Sequence, residues 1–169
     1  MKTRILITLF CVLSIAGVSQ DSSKFEFIKN KEYNSYTVTP NFESGKIEGK
    51  KGQASFLNDN YVNNLLFTII EDVLNKEKIN LLHFGSQLLI TINSQGEVLR
   101  CKFLIKDIDL KVLTEDDFYN LYIKFKQLKL DTSVVKILPI DFNDSNQLRY
   151  AEILCPLIPK NFKKNLNEK

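Results

Sequence analysis

Tryptophan is absent from this chain of 169 residues, histidine and methionine occur once each, and there are only three cysteines, four prolines and six glycines. With His83 as the lone imidazole, a zinc site would need cysteines and acids converging on it from distant parts of the sequence. Neither sign of charge dominates, at 23 basic against 20 acidic side chains, which removes the electrostatic case for a nucleic-acid or anionic-membrane partner. No internal repeat and no linker divides the chain, so one domain is expected. The glycines from Gly45 to Gly52 look like a phosphate-binding loop only in outline. Their spacing is one residue short, and Lys51 stands where a Ser or Thr would hold magnesium.

What is present is ordinary globular material: 44% hydrophobic residues, 25% charged and twelve phenylalanines. The chain opens on a short basic stretch with Lys2 and Arg4, followed by an apolar run of fourteen residues, 5–18. That run is short against the roughly 20 residues of a spanning helix. Ser14, Ala16, Gly17 and Ser19 supply the small residues a signal peptidase accepts. The expectation is a signal peptide over residues 1–19, cleaved after Ser19 or alternatively after Ala16, and a product that is periplasmic or secreted with no retained membrane span. Loss of Lys2 and Arg4 leaves 21 basic against 20 acidic side chains, a net of +1. Residues 20–160 then form the domain, and residues 161–169, basic and polar, form a disordered tail.

The best-marked unit runs from Gln87 to Leu130. The apolar stretches 88–92 and 98–105 flank Asn93, Ser94, Gln95 and Gly96, the pattern of a hairpin whose loop needs one residue at positive φ. Leu88, Ile90 and Ile92 share a face with Leu99, Cys101, Phe103 and Ile105, while Arg100 and Lys102 point to solvent. Val98 breaks the alternation, which suggests a bulge. Thr114 is placed to cap a helix whose first turn holds Glu115, Asp116 and Asp117. Its apolar stripe is Phe118, Leu121, Tyr122, Phe125 and Leu128, with Leu113 and Phe118 set to meet as a hydrophobic staple.

Elsewhere, 25–28 and 36–39 read as a hairpin ended by Pro40, 41–53 as a surface loop, and 58–76 as a helix capped by Asn58 or Asp59. Residues 134–138 form a short β-branched run, 141–147 a polar loop. From Tyr150 onward Ala151, Ile153, Cys155 and Leu157 alternate with Tyr150, Glu152 and Leu154, and Pro156 marks this strand as a sheet edge. The expected fold is α+β: an antiparallel sheet packed on one side by two amphipathic helices, in the order ββ-α-ββ-α-(β)β.

The chemistry available is sparse. Cys101 and Cys155 both fall on apolar strand faces. An exported protein permits a disulfide between them if their Cα atoms lie within about 7 Å, yet buried thiols also pack as small hydrophobes. Asp107 and Asp109 read as a solvated turn, Glu115, Asp116 and Asp117 as helix capping, and neither group has calcium-loop spacing. No catalytic, metal or cofactor residue is expected.

The run from Leu88 to Pro159 resembles the C-terminal domain of TonB and its relatives. The features are the strand ending at Ile92, the Asn93-Ser-Gln-Gly96 turn in place of that family's Asp-x-x-Gly, the second strand, the amphipathic helix and a last strand with Ile153, Leu157 and Ile158. The chain lacks that family's proline-rich spacer, so energy transduction is not implied. Its element order is also similar to that of small exported α+β proteins of gut-type Gram-negative bacteria. The resemblance implies that the last strand lies antiparallel beside the first hairpin strand, which would keep Cys101 and Cys155 apart. The functional expectation is an exported, non-enzymatic binding domain that meets a protein partner along a sheet edge at Tyr150, Glu152 and Leu154. A secreted hydrolase or protease inhibitor with a cystatin-like helix on sheet, and a small cysteine-dependent enzyme, are the alternatives.

Overall fold

Asn93 builds the central turn. In the computed structural model, which describes residues 23–43, 45–140 and 148–158, its Oδ1 accepts the N–H groups of Gln95 and Glu97 at 3.0 and 2.9 Å. Gly96, at φ 77, donates to the Asn93 carbonyl at 3.0 Å. The strands that flank this turn are β5 (Gln87–Asn93) and β6 (Val98–Lys106). The suspected bulge is there: Thr91 faces Arg100 but Ile92 faces Val98, so Leu99 is the extra residue and Val98 turns inward. The expected signal peptide, the 141–147 loop and the 161–169 tail lie outside the described residues.

Around that hairpin the other elements are β1 (Phe25–Asn30), β2 (Ser35–Pro40), β3 (Lys50–Lys51), β4 (Gln53–Phe56), α1 (Asp59–Leu81), a 3₁₀ turn (Asp107–Lys111), α2 (Glu115–Lys126), β7 (Val135–Leu138) and β8 (Arg149–Pro156). The main sheet has the order β1-β2-β6-β5-β8-β3, and β4 with β7 makes a second, two-stranded sheet. All pairs are antiparallel except β3 with β8. The fold is α+β, with two helices packed on a mostly antiparallel sheet. Beside β5, β8 occupies the position that the resemblance implied for the last strand.

Period-two alternation gives the sheet one buried face: Leu88, Ile90, Ile92, Cys101, Phe103, Ile105, Ala151, Ile153 and Cys155. Against it lie Val62, Leu66, Ile70 and Leu74 of α1 and Phe118, Leu121 and Phe125 of α2, all in one core cluster. Phe25, Phe103 and Phe118 meet ring to ring with centroids 5.1 to 6.2 Å apart, contacts that add roughly 0.5–1.5 kcal/mol each beyond burial. Thr114 caps α2 in a reciprocal box. Its hydroxyl accepts the Asp117 N–H, and the Asp117 carboxylate accepts the Thr114 N–H at 2.7 Å.

Three expectations are corrected. The loop expected over 41–53 ends in strand: β3 lies in it and β4 begins at its last residue, because pairing partners, not local alternation, hold this stretch extended. The helix expected to end near Lys76 continues as α1 to Leu81, with a break at Asn75 (φ 56, ψ 164) whose Oδ1 caps the Lys78 N–H at 2.9 Å. Restarting the helix there sends Lys78 to both Asp117 oxygens at 2.8 Å. Finally, β8 is an edge along only part of its length, since β3 covers Arg149 and Tyr150. Among the described residues no helix is long and apolar enough to cross a membrane.

Candidate functional site

Cys101 and Cys155, the two cysteines among the described residues, are the most reactive side chains outside the expected leader, and the sheet encloses both. Cys101 faces Ile90 and Cys155 faces Leu88, so β5 runs between them. Both are free and buried. Burial pushes each thiol up to about 12; at Cys101 the Glu43 charge adds to the rise and Lys126 opposes it. At neutral pH neither is a thiolate, the form that attacks. A thiol-specific reagent is therefore expected to leave both cysteines unmodified in the folded protein and to modify both once urea unfolds it. Stoichiometric labelling of the native state would restore the cysteine-enzyme alternative.

Asp109 was expected on a solvated turn and is instead fully buried. The 3₁₀ turn points its carboxylate at the segment between α1 and β5. Oδ1 accepts the His83 main-chain N–H at 2.9 Å and lies 3.0 Å from His83 Nδ1, and Oδ2 accepts the Ser86 hydroxyl at 2.5 Å. Ser86 Oγ in turn accepts the Lys106 N–H at 2.9 Å. The Asp109 carbonyl also receives the N–H groups of Val112 and Leu113.

Serine, aspartate and histidine thus meet, but not as a nucleophilic triad. A triad needs the imidazole between the acid and the nucleophile, whereas here the carboxylate sits between histidine and serine. Ser86 is buried, with its oxygen engaged on both sides. The cluster acts as a joint that fastens two connections to each other, with the His83 side chain half exposed at its rim. Among the described residues no three His, Cys, Asp or Glu side chains gather to hold a metal.

At the edge beside β8 the backbone itself is on offer. The Leu157 N–H donates to the Ser86 carbonyl, and antiparallel ladders alternate, so Ala151, Ile153 and Cys155 direct their main-chain groups to β5. Tyr150, Glu152 and Leu154 direct theirs outward. The Tyr150 carbonyl is taken by the Gly52 N–H at 2.7 Å. Glu152 and Leu154 have no main-chain partner on that side among the described residues. Their outer edge is open because the neighbouring chain turns away. After β3 it passes Gly52 into β4, which pairs with β7 instead of β8. A side chain at Gly52 would put Cβ 2.6 Å from Ile137 Cγ2 and 2.7 Å from the Leu138 oxygen.

The Leu57 N–H donates to Val134. By the same alternation Ala54 and Phe56 turn their main-chain groups away from β7. β4 and β8 flank a cleft of about 570 Å³ whose walls include Ala54, Phe56, Leu89, Ile140 and Leu154. Leu154 is 56% exposed and Ile140 67%. Glu152 pairs with Lys51 at the closed end. Of the three expected contact residues, then, Glu152 and Leu154 stand on an open edge, while the Tyr150 backbone is already covered. The β4 side of the cleft had no mark in the sequence beyond the apolar Ala54 and Phe56.

No family model and no curated protein matches the chain. Among solved structures it is similar to a DUF5043 family protein from Bacteroides uniformis ATCC 8492, with a TM-score of 0.52 and 11% sequence identity over 82% of this chain and 93% of that one. At that identity the likeness concerns the fold alone.

Proposed function

We propose that this chain is an exported, non-enzymatic binding domain that takes up an extended segment of a protein partner as an added strand along β8. The observation that carries the reading is the outward main chain of Glu152 and Leu154, unpaired among the described residues, beside an apolar cleft. An exposed edge with free N–H and C=O groups is a template for another strand, and proteins that bind by strand addition draw affinity from those groups and specificity from pockets for alternate side chains. Leu154, Phe56 and Ile140 supply apolar walls, so the favoured segment is extended and carries an apolar side chain at every second position. The sequence expectation of a cleaved leader belongs to the same proposal, because a partner met in the periplasm or outside the cell requires export. The cysteine-enzyme alternative loses support from the buried, protonated thiols.

Proline at position 154 is the discriminating substitution. It removes an N–H that points away from β5 and leaves the β5–β8 ladder intact. In a selection of extended peptides displayed against the purified domain, the enriched sequences are expected to bind wild type and to lose about tenfold or more in affinity for Leu154→Pro, with the unfolding midpoint little changed. Peptides that bind Leu154→Pro as tightly as wild type would place the binding surface elsewhere.

A further inference from the structure

The main sheet ends in β1, at the far side from β8 and β3, and part of the β1 main chain is open there. The Asn41 N–H donates to the Lys24 carbonyl at 2.9 Å. Ladder alternation from that bond turns the main-chain groups of Glu26, Ile28 and Asn30 toward β2, where they face Thr39, Thr37 and Ser35. Pro40, which has no N–H to give, falls opposite Phe25. Phe25, Phe27 and Lys29 therefore direct their N–H and C=O groups outward. Those of Phe25 are already held: the Ser23 hydroxyl donates to the Phe25 carbonyl at 2.7 Å and accepts its N–H at 3.3 Å. Those of Phe27 and Lys29 have no partner among the described residues.

An open edge is a template for another strand, and lysines guard such edges when they project from them. Lys29 does not project. Its Nζ lies 3.7 Å from Asp107 Oδ2 and 5.3 Å from the centre of the Tyr36 ring, so the side chain is folded back over β2 and the 3₁₀ turn. Phe27 also leans inward, with its ring 5.9 Å from that of Phe118. Ile28 stands on the opposite face of the strand and is 52% exposed.

We infer that two copies of this chain join through β1 in antiparallel register, with a two-fold axis at Ile28. A two-fold contact requires that the edge fit itself, and the registers available within β1 differ in how well it does. With Ile28 on the axis, Phe27 of each copy faces Lys29 of the other, and both open pairs exchange N–H and C=O bonds in each direction. Ile28 meets Ile28 in a close, non-hydrogen-bonded pair, Glu26 faces Asn30, and within the strand no like charges meet. With Phe27 on the axis, Lys29 would fall opposite Phe25, whose groups Ser23 already holds. With Lys29 on the axis, two like charges would stand directly opposite, which is destabilising. The join continues the sheet across both copies and leaves both β8 edges open, so it and strand addition at β8 stand or fall separately.

Sedimentation velocity of the purified protein, from micromolar to millimolar concentration, tests this. A concentration-dependent dimer is expected. Ile28→Lys sets two cations face to face at an exposed position, and Lys29→Pro removes an outward N–H while leaving the β1–β2 ladder intact. Each is expected to raise the dissociation constant about tenfold or more. A cross-link reports the register without relying on either variant. Ile28→Cys is expected to give a disulfide-linked dimer on mild oxidation, because opposed Cα atoms in such a pair lie about 4.5 Å apart. Asn30→Cys, roughly 13 Å from its counterpart, is expected to stay unlinked. A wild-type protein that remains monomeric throughout would overturn the inference, as would a dimer that Ile28→Lys leaves intact. So would equal cross-linking of the two cysteine variants.

Discussion

Gly96→Ala is expected to lower the unfolding free energy by about 3–5 kcal/mol, a sum of two separate penalties. The residue sits at φ 77, where an L side chain is strained by roughly 1–2 kcal/mol. A Cβ there would also lie 2.1 Å from the Leu130 carbonyl oxygen and 3.3 Å from its nitrogen. That neighbour is main chain, and it is tied back to the turn by the Leu130 N–H donating to the Gly96 carbonyl at 2.8 Å. It can move only by giving up that bond and shifting the exit from α2. A domain of this size has only about 5–15 kcal/mol in total, so the variant should show a large drop in urea midpoint. A change under about 1 kcal/mol would mean that the turn and Leu130 are not packed as described.

Asp109→Ala is expected to be almost as damaging, at about 3–5 kcal/mol, because it strands donors that have no other partner among the described residues. The His83 N–H and the Ser86 hydroxyl both end on this carboxylate, and Ser86 in turn holds the Lys106 N–H. Asp109→Asn keeps the shape and an acceptor toward His83, so about 1–2 kcal/mol is expected of it. The ordering matters more than either figure. In thermal and urea unfolding, alanine should be clearly worse than asparagine. Two variants equally close to wild type would show that the cluster is solvated and carries no structural role.

These two positions show where the sequence could be read and where it could not. The turn at Asn93 to Gly96 and the cap at Thr114 are local grammar. Each is specified by residues within four positions of one another, and each appears as expected, including the bulge that Val98 announced. Asp109 follows no local rule. An Asp-Ile-Asp run before a helix reads as a wet turn, and its burial is decided by Ser86 and His83, which lie 23 and 26 residues away. β3 and β4 failed for the same reason: Lys50, Lys51 and the Gln53–Phe56 stretch have no alternation, and only pairing with β8 and β7 makes them strands.

The candidate edge was half legible. Alternation from Tyr150 to Leu157 separated the buried from the exposed side chains correctly, and Pro156 pointed to an edge. The cover over Tyr150 and the turning away of β4 at Gly52 depend on contacts roughly a hundred residues apart in sequence, which no local pattern encodes.

Amide hydrogen exchange on the free protein, read residue by residue along β8, tests the central claim without needing a partner. The amides of Ala151, Ile153 and Cys155 are expected to exchange slowly, at the rate of the core, since they donate into β5. Those of Glu152 and Leu154 are expected to exchange orders of magnitude faster, as open edges do. Slow exchange at all five would mean that the edge is already occupied in the folded chain, and strand addition at β8 would have to be abandoned.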